Sequence, residues 1–191
     1  RPAIVPLPVA KRRALAARKV VIDLMLLYTP KVESKYIDID ADLVALAIEQ
    51  TNTSFANSGV GNVKVRLAHA EKIDYDESKG EHFEHLYRMV DGVTSFSKIR
   101  ALRNAKKADV VILVVDDPSG CGLSTRVAAD AADAYAVVHH SCAALSYSIA
   151  HELGQVAGMI EMGVRQDHRV EILWGYRQWR PVQLAQVLKA L

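Results

Sequence analysis

The sequence lacks both a strong excess of charge and a long hydrophobic run. Its 24 Lys and Arg residues nearly balance 22 Asp and Glu residues, which leaves a formal net charge of +2. So small an excess gives no reason to expect nucleic acid as a partner. No apolar stretch approaches the roughly 18–20 residues of a membrane-spanning helix, so we expect no membrane partner. A chain of 191 residues, half of them apolar, fits a single globular domain with a sizeable core.

Cysteine is also scarce, since the chain contains only Cys121 and Cys142. Two buried free thiols are one interpretation of this pair. We favour the other, a single disulfide that closes a loop of ~20 residues and contributes roughly 3 kcal/mol through loop-closure entropy. A disulfide would imply an oxidising compartment, and we therefore expect a secreted or periplasmic protein.

The first residues differ in composition from the rest of the chain. Residues 1–17 contain three prolines and a basic cluster, which predicts an arm or a propeptide remnant. Residues 18–191 are then predicted to form the folded domain. The chain begins with Arg1 rather than Met, so we expect a processed or trimmed N-terminus.

Apolar runs alternate with helical patterns along the domain. A near-continuous apolar run at 20–28 is typical of a strand that is covered on both faces. Segments 118–122 and 91–92 contain turn residues, so the first is predicted as a loop and the second as a helix break. This alternation predicts an α/β fold with helices packed on a mainly parallel sheet. The predicted strands are 20–28, 63–68, 109–116 and 134–140, and the predicted helical segments are 38–57, 77–108 and 146–158.

The segment that carries chemistry is 146–158, with the sequence SYSIAHELGQVAG. A zinc peptidase needs two histidines four residues apart on one helix, so that both imidazoles converge on the metal. The glutamate after the first histidine then serves as general base. Here His151 and Glu152 are present, but Gln155 occupies the position of the second histidine. Gly158 stands where a longer motif of this kind turns the chain, and Glu161 stands where the third ligand is expected.

Several segments in the same order resemble the bacterial peptidyl-Asp metallopeptidases, which are metzincins similar to the reprolysins. The resemblance implies a twisted, mainly parallel sheet with an active-site helix, a zinc cofactor, and a peptide or protein substrate cleaved before Asp. It implies that Glu152 is the catalytic residue and that the metal ligands are His151 and, by position, Gln155 and Glu161. The segments that carry the resemblance are 21–30, 52–59, 120–123, 134–143 and 146–154.

The chain departs from the family pattern His-Glu-x-x-His-x-x-Gly-x-x-His at two ligands. Only His151, Glu152 and Gly158 are kept, and an amide oxygen is a much poorer zinc ligand than imidazole nitrogen. The family's methionine turn is not recognisable, and the resemblance fades after Gly158. We therefore expect weak zinc binding and little or no hydrolysis, which leaves open whether the chain is an active enzyme.

Other interpretations of the chain stay open at this stage. One is a non-catalytic peptidase-fold domain that binds peptides or proteins, with Gln155 and Glu161 at the surface and His151 hydrogen-bonded in an empty cleft. Another is a redox or structural module in which Cys121 and Cys142 matter more than the metal site.

Four other histidines are candidate ligands. His139 and His140 are adjacent on a predicted strand, so we expect them on opposite faces and unable to share one metal ion. His82 and His85 are three residues apart on a predicted helix, where such a pair can bind metal. A solvated helix face is the interpretation we favour for that pair.

Overall fold

The structure is a computed structural model that describes residues 19–126 and 129–157. The predicted arm at 1–17 lies outside these residues. Gly158, Glu161 and the region of the expected methionine turn lie outside them as well. The division into an arm and a domain therefore stays a prediction.

The described residues form one five-stranded sheet with helices on it. The strands are β1 (Val20–Tyr28), β2 (Val63–Lys72), β3 (Val110–Val115), β4 (Gly122–Ser124) and β5 (Tyr135–His139). Their order in the sheet is β2-β1-β3-β5-β4. All neighbours run parallel except β4, which pairs with β5 in the antiparallel direction. The predicted α/β class with a mainly parallel sheet is confirmed.

Strand β1 lies inside the sheet, as its apolar run predicted. It pairs with β2 from Val20 opposite Val63 to Tyr28 opposite Lys72, and with β3 on its other side. Because successive side chains point to opposite faces of a sheet, the strand contributes to two apolar clusters. The cluster on one face contains Ile22, Leu24 and Leu26, and the cluster on the other contains Met25 and Leu27.

The helices cover the sheet and follow the predicted segments with shorter bounds. A π-helical turn at Asp40–Ala45 leads directly into the helix Leu46–Asn57. The helix His82–Asp91 is capped by Gly92, which has φ 68° and ψ 35°, a left-handed conformation that glycine adopts readily. None of the helices in the part of the chain that the structure describes is both long and apolar enough to cross a bilayer. The α-helices are α1 (Pro30–Glu33), α2 (Leu46–Asn57), α3 (His82–Asp91), α4 (Ile99–Ala105), α5 (His140–Ala143) and α6 (Ser148–Val156), and short 3-10 turns occupy Thr94–Phe96 and Ala131–Asp133.

The outer strand β4 was not predicted. Residues 118–122 were interpreted as a loop, whereas the structure pairs Gly122 with Val138 and Ser124 with Ala136. A segment of three residues is too short to show an alternating pattern. It becomes a strand because it pairs with the edge of β5, and that pairing cannot be read from the segment itself.

The predicted disulfide between Cys121 and Cys142 is confirmed. The two Cα atoms are 5.5 Å apart, and the residues are separated by 21 positions. The bond joins the start of β4 to α5, so it holds the outer strand next to the chain that follows β5.

Candidate functional site

Helix α6 carries the His-Glu pair and is held against the sheet by its apolar face. Ile149, Leu153 and Val156 recur at helical spacing and are fully or almost fully buried in the core. The predicted helix at 146–158 is therefore confirmed for its described part, with bounds Ser148–Val156. This seating places Glu152 in the interior, with 4% of the residue exposed, while His151 is only partly buried.

The Glu152 carboxyl lies directly against the outer strand. A Cβ atom built on Gly122 would stand 2.6 Å from Oε1 of Glu152, so a larger residue at this position of β4 would force the buried carboxyl to shift. Within residues 19–126 and 129–157, Oε2 of Glu152 has no hydrogen-bond partner. Burial raises the pKa of Glu152 to about 7, although the neighbouring Ser124 hydroxyl acts in the opposite direction. The carboxyl is therefore poised to gain and lose a proton near neutral pH.

A hydrogen-bonded chain connects β4 to His151. The Ser124 hydroxyl donates to Oε1 of Gln155 at 2.6 Å, which leaves the amide Nε2 of Gln155 2.8 Å from Nε2 of His151. An amide nitrogen can only donate, so the ring nitrogen of His151 accepts. Burial lowers the pKa of His151, which favours the neutral ring that this bond requires.

This chain of bonds bears on whether the residues fit zinc. A zinc ligand needs a free lone pair, but the hydrogen bond from Gln155 occupies that of Nε2 of His151. Ser124 already donates to the amide oxygen of Gln155. The described residues at this position therefore do not fit a zinc centre as they stand. The assignment of Glu152 as catalytic residue, and of His151, Gln155 and Glu161 as ligands, stays a prediction.

The expectation for His139 and His140 was wrong. Strand β5 ends at His139 and α5 begins at His140, so the alternation of a strand does not continue across the pair. Their ring centroids are 4.6 Å apart. Both rings approach Asp116, which follows the end of β3, and the three side chains form a group that could hold a metal ion.

The solvated face expected for His82 and His85 was also wrong. These residues are 5% and 0% exposed, because α3 turns both of them toward the sheet. Nδ1 of His82 lies 2.7 Å from Oδ2 of Asp117, and Nδ1 of His85 lies 2.7 Å from the Tyr75 hydroxyl. The signal was present in the sequence, since Leu86 and Met89 complete a stripe at positions i, i+3, i+4 and i+7 of the helix.

Asp117 anchors this buried network. Burial acts to raise the pKa of Asp117, but hydrogen bonds from Ser119 and His82 outweigh that effect and hold it at about 2. The carboxylate is thus ionised, and it ties the segment after β3 to α3.

Three residues of the site region were missed as functional candidates. Gly122 and Ser124 line Glu152 and Gln155, but their role depends on the unpredicted strand β4. Asp116 had a usable signal, because the carboxyl ends of parallel strands meet at one edge of a sheet. It follows β3 directly, just as His140 follows β5.

Solved structures show which class of fold this arrangement belongs to. Metalloproteinase-II from Bacteroides fragilis superposes with a TM-score of 0.57 at 13% identity, over 95% of this chain and 60% of that one. A chain in a chaperone–substrate complex gives a TM-score of 0.62 at 20% identity, over 76% of this chain and 24% of that one. The fold is thus similar to that of a metalloproteinase.

Curated proteins add a relation in sequence. The peptidyl-Asp metalloendopeptidases of Stenotrophomonas maltophilia (strain R551-3) and Xanthomonas campestris pv. campestris are each 36% identical to this chain over 115 residues. The match covers 60% of this chain and spans 27% of the length of either relative. No protein-family model matches the chain. The predicted resemblance to peptidyl-Asp metallopeptidases is confirmed.

Proposed function

We propose that this chain is part of a metzincin-type zinc endopeptidase that cleaves before Asp, and that its hydrolytic activity in the present sequence is low or absent. The name of its relatives supports a metal ion and a peptide or protein substrate. The fold similarity to a metalloproteinase supports the same class. The disulfide supports a secreted or periplasmic location, where such a bond persists.

The observation that carries the proposal is the position of Glu152. It stands beside His151 on α6 and is packed against Gly122 of the outer strand. A general acid–base group works best when its pKa lies near the working pH, and burial brings Glu152 to about 7. This side chain can therefore take a proton and return it during peptide hydrolysis.

The outer strand offers a place for an extended substrate. Among the described strands, β4 pairs with β5 alone, so its other edge carries backbone groups that are not part of the sheet. An extended peptide can add to such an edge through main-chain hydrogen bonds. A peptide bound there would lie on the strand that contacts Glu152 through Gly122.

Low activity follows from Gln155. Its amide donates to the ring nitrogen of His151, so a metal ion must break that bond before His151 can coordinate it. The amide oxygen gained in exchange is a weak zinc ligand. Peptide binding does not need the metal, and the closed Ser124–Gln155–His151 chain supports a non-catalytic, peptide-binding domain as the second candidate.

The test restores the missing donors. The double variant Gln155→His with Glu161→His should bind zinc at these two positions several orders of magnitude more tightly than the unchanged protein, because imidazoles replace oxygen donors where the family motif has its second and third histidines. Calorimetry measures the affinity, and cleavage of an Asp-containing peptide measures activity. Gln50→His, on α2, controls for a histidine added elsewhere.

Two results would contradict parts of this proposal. Zinc binding by the double variant that matches the unchanged protein in both affinity and number of ions would remove the carried-over ligand positions. Tight zinc binding with peptide bound but never cleaved would favour the non-catalytic domain. Adding Glu152→Gln to the double variant should abolish cleavage and preserve zinc binding, since this glutamate is not a ligand.

A further inference from the structure

We propose that Asp116, His139 and His140 form a second metal site, which binds Zn²⁺ independently of His151. The three side chains come from the carboxyl ends of β3 and β5 and from the start of α5. Among the described residues, no hydrogen bond joins these three side chains to Gln155 or Ser124. This site therefore does not depend on the proposed peptidase function.

The distances between the donor atoms suit one zinc ion. Oδ1 of Asp116 lies 3.0 Å from Nε2 of His140 and 3.7 Å from Nε2 of His139. In tetrahedral zinc with bonds of about 2.0–2.2 Å, neighbouring donors are about 3.3–3.5 Å apart. The three side chains are 14–16% exposed, so an ion can reach them from solvent and water can complete the coordination.

Each imidazole also has a partner for its second nitrogen. Nδ1 of His140 is 2.9 Å from the Tyr36 hydroxyl, and Nδ1 of His139 is 2.8 Å from the Ser141 hydroxyl. A metal-bound histidine commonly donates its other N–H to such an oxygen, which directs the free lone pair at the metal. The backbone N–H of Ser141 donates to Nδ1 of His139 at 3.2 Å, so Nδ1 accepts here and Nε2 carries the proton. Zinc binding at Nε2 requires the other tautomer, in which Nδ1 donates to the Ser141 hydroxyl instead.

The backbone of the site is held by groups that would not coordinate the ion. The N–H of Asp116 donates to Oε1 of buried Glu77 at 2.9 Å, and the other oxygen of Glu77 accepts from Thr29 at 2.6 Å. The disulfide fixes α5 through Cys142. Because these contacts already hold the ligand residues in position, zinc binding requires little further ordering of the chain.

Two lysines form ion pairs with Asp116 and would compete with a metal ion for it. The Nζ atoms of Lys31 and Lys35 both lie 3.2 Å from Oδ2, so Oδ1 is the oxygen left to face the histidines. Both lysine side chains are about half exposed and can move into solvent. Their positive charge nevertheless opposes a cation, so removing one should strengthen zinc binding.

The experiment uses the disulfide-intact protein, freed of metal with EDTA and dialysed. Zn²⁺ is titrated by calorimetry, and Co²⁺ absorption reports tetrahedral coordination. We expect His140→Gln to weaken Zn²⁺ binding by about 100-fold or more, because it removes an imidazole donor. His69→Gln, the matched control on β2, should leave the affinity unchanged, and His151→Gln tests whether the ion binds on α6 instead.

Two milder variants keep the proposal testable if His140→Gln fails to fold. Ser141→Ala should weaken Zn²⁺ binding about tenfold, because Nδ1 of His139 loses its acceptor. Lys35→Gln should strengthen it, which a purely structural role for Asp116 would not predict. Unchanged affinity in His140→Gln, or in both milder variants, would overturn the site. Zinc lost with His151→Gln and retained with His140→Gln would overturn it as well, while supporting the peptidase site.

Discussion

Replacing Glu152 with glutamine should change how the stability of this protein depends on pH. Burial raises the pKa of Glu152 from 4.5 to about 7 in the folded protein. The folded state therefore binds this proton more tightly than the unfolded state does. At about 1.4 kcal/mol for each tenfold difference in proton affinity, the gap corresponds to about 3 kcal/mol.

The sign of the effect follows from which state holds the proton. Between pH 4.5 and about 7, the folded protein keeps the proton of Glu152 and the unfolded protein releases it. The free energy of unfolding must then fall as pH rises through this window. Above the window the whole loss of about 3 kcal/mol is present. Glutamine has nearly the same shape and never ionises. In Glu152→Gln this decline should be absent. At pH 8 its free energy of unfolding should be about 3 kcal/mol higher than that of the unchanged protein.

Urea unfolding at several pH values from 4 to 8, with EDTA present, measures this difference. All other titrating groups are shared by the two proteins, so the difference between the two curves isolates Glu152. Glu49→Gln, at an exposed position of α2, controls for the loss of one negative charge. Parallel curves for the unchanged protein and Glu152→Gln would refute the claim that burial holds this proton.

Two further predictions concern the outer strand. Gly122→Ala should lower the free energy of unfolding by about 1–3 kcal/mol, because the new Cβ would stand 2.6 Å from Oε1 of Glu152. That loss should disappear in a Glu152→Ala background, and an equal loss in both backgrounds would exclude this contact as its cause. Reducing the Cys121–Cys142 bond should cost about 3 kcal/mol, given a separation of 21 residues. Urea unfolding with and without dithiothreitol measures it, and coinciding curves would show that loop closure contributes nothing.

The sequence by itself determined the elements whose pattern is complete within a short stretch of chain. The apolar run of β1 and the buried run of β3 predicted central strands, and both lie inside the sheet. The apolar spacing of α6 predicted the helix that carries His151 and Glu152. The paired cysteines favoured the disulfide that the structure contains. For the strands and the helix the information is local, because the period of a helix or strand shows within a few residues, whereas the disulfide was favoured by the presence of only two cysteines.

Only the tertiary structure decided which side chains meet. Strand β4 exists because β5 presents an edge, and the high pKa of Glu152 depends on being packed against that strand. Asp116 meets His140 across 24 residues of sequence because β3 and β5 are neighbours in the sheet. Such contacts depend on strand order and packing, which the periodicity of a single segment does not contain.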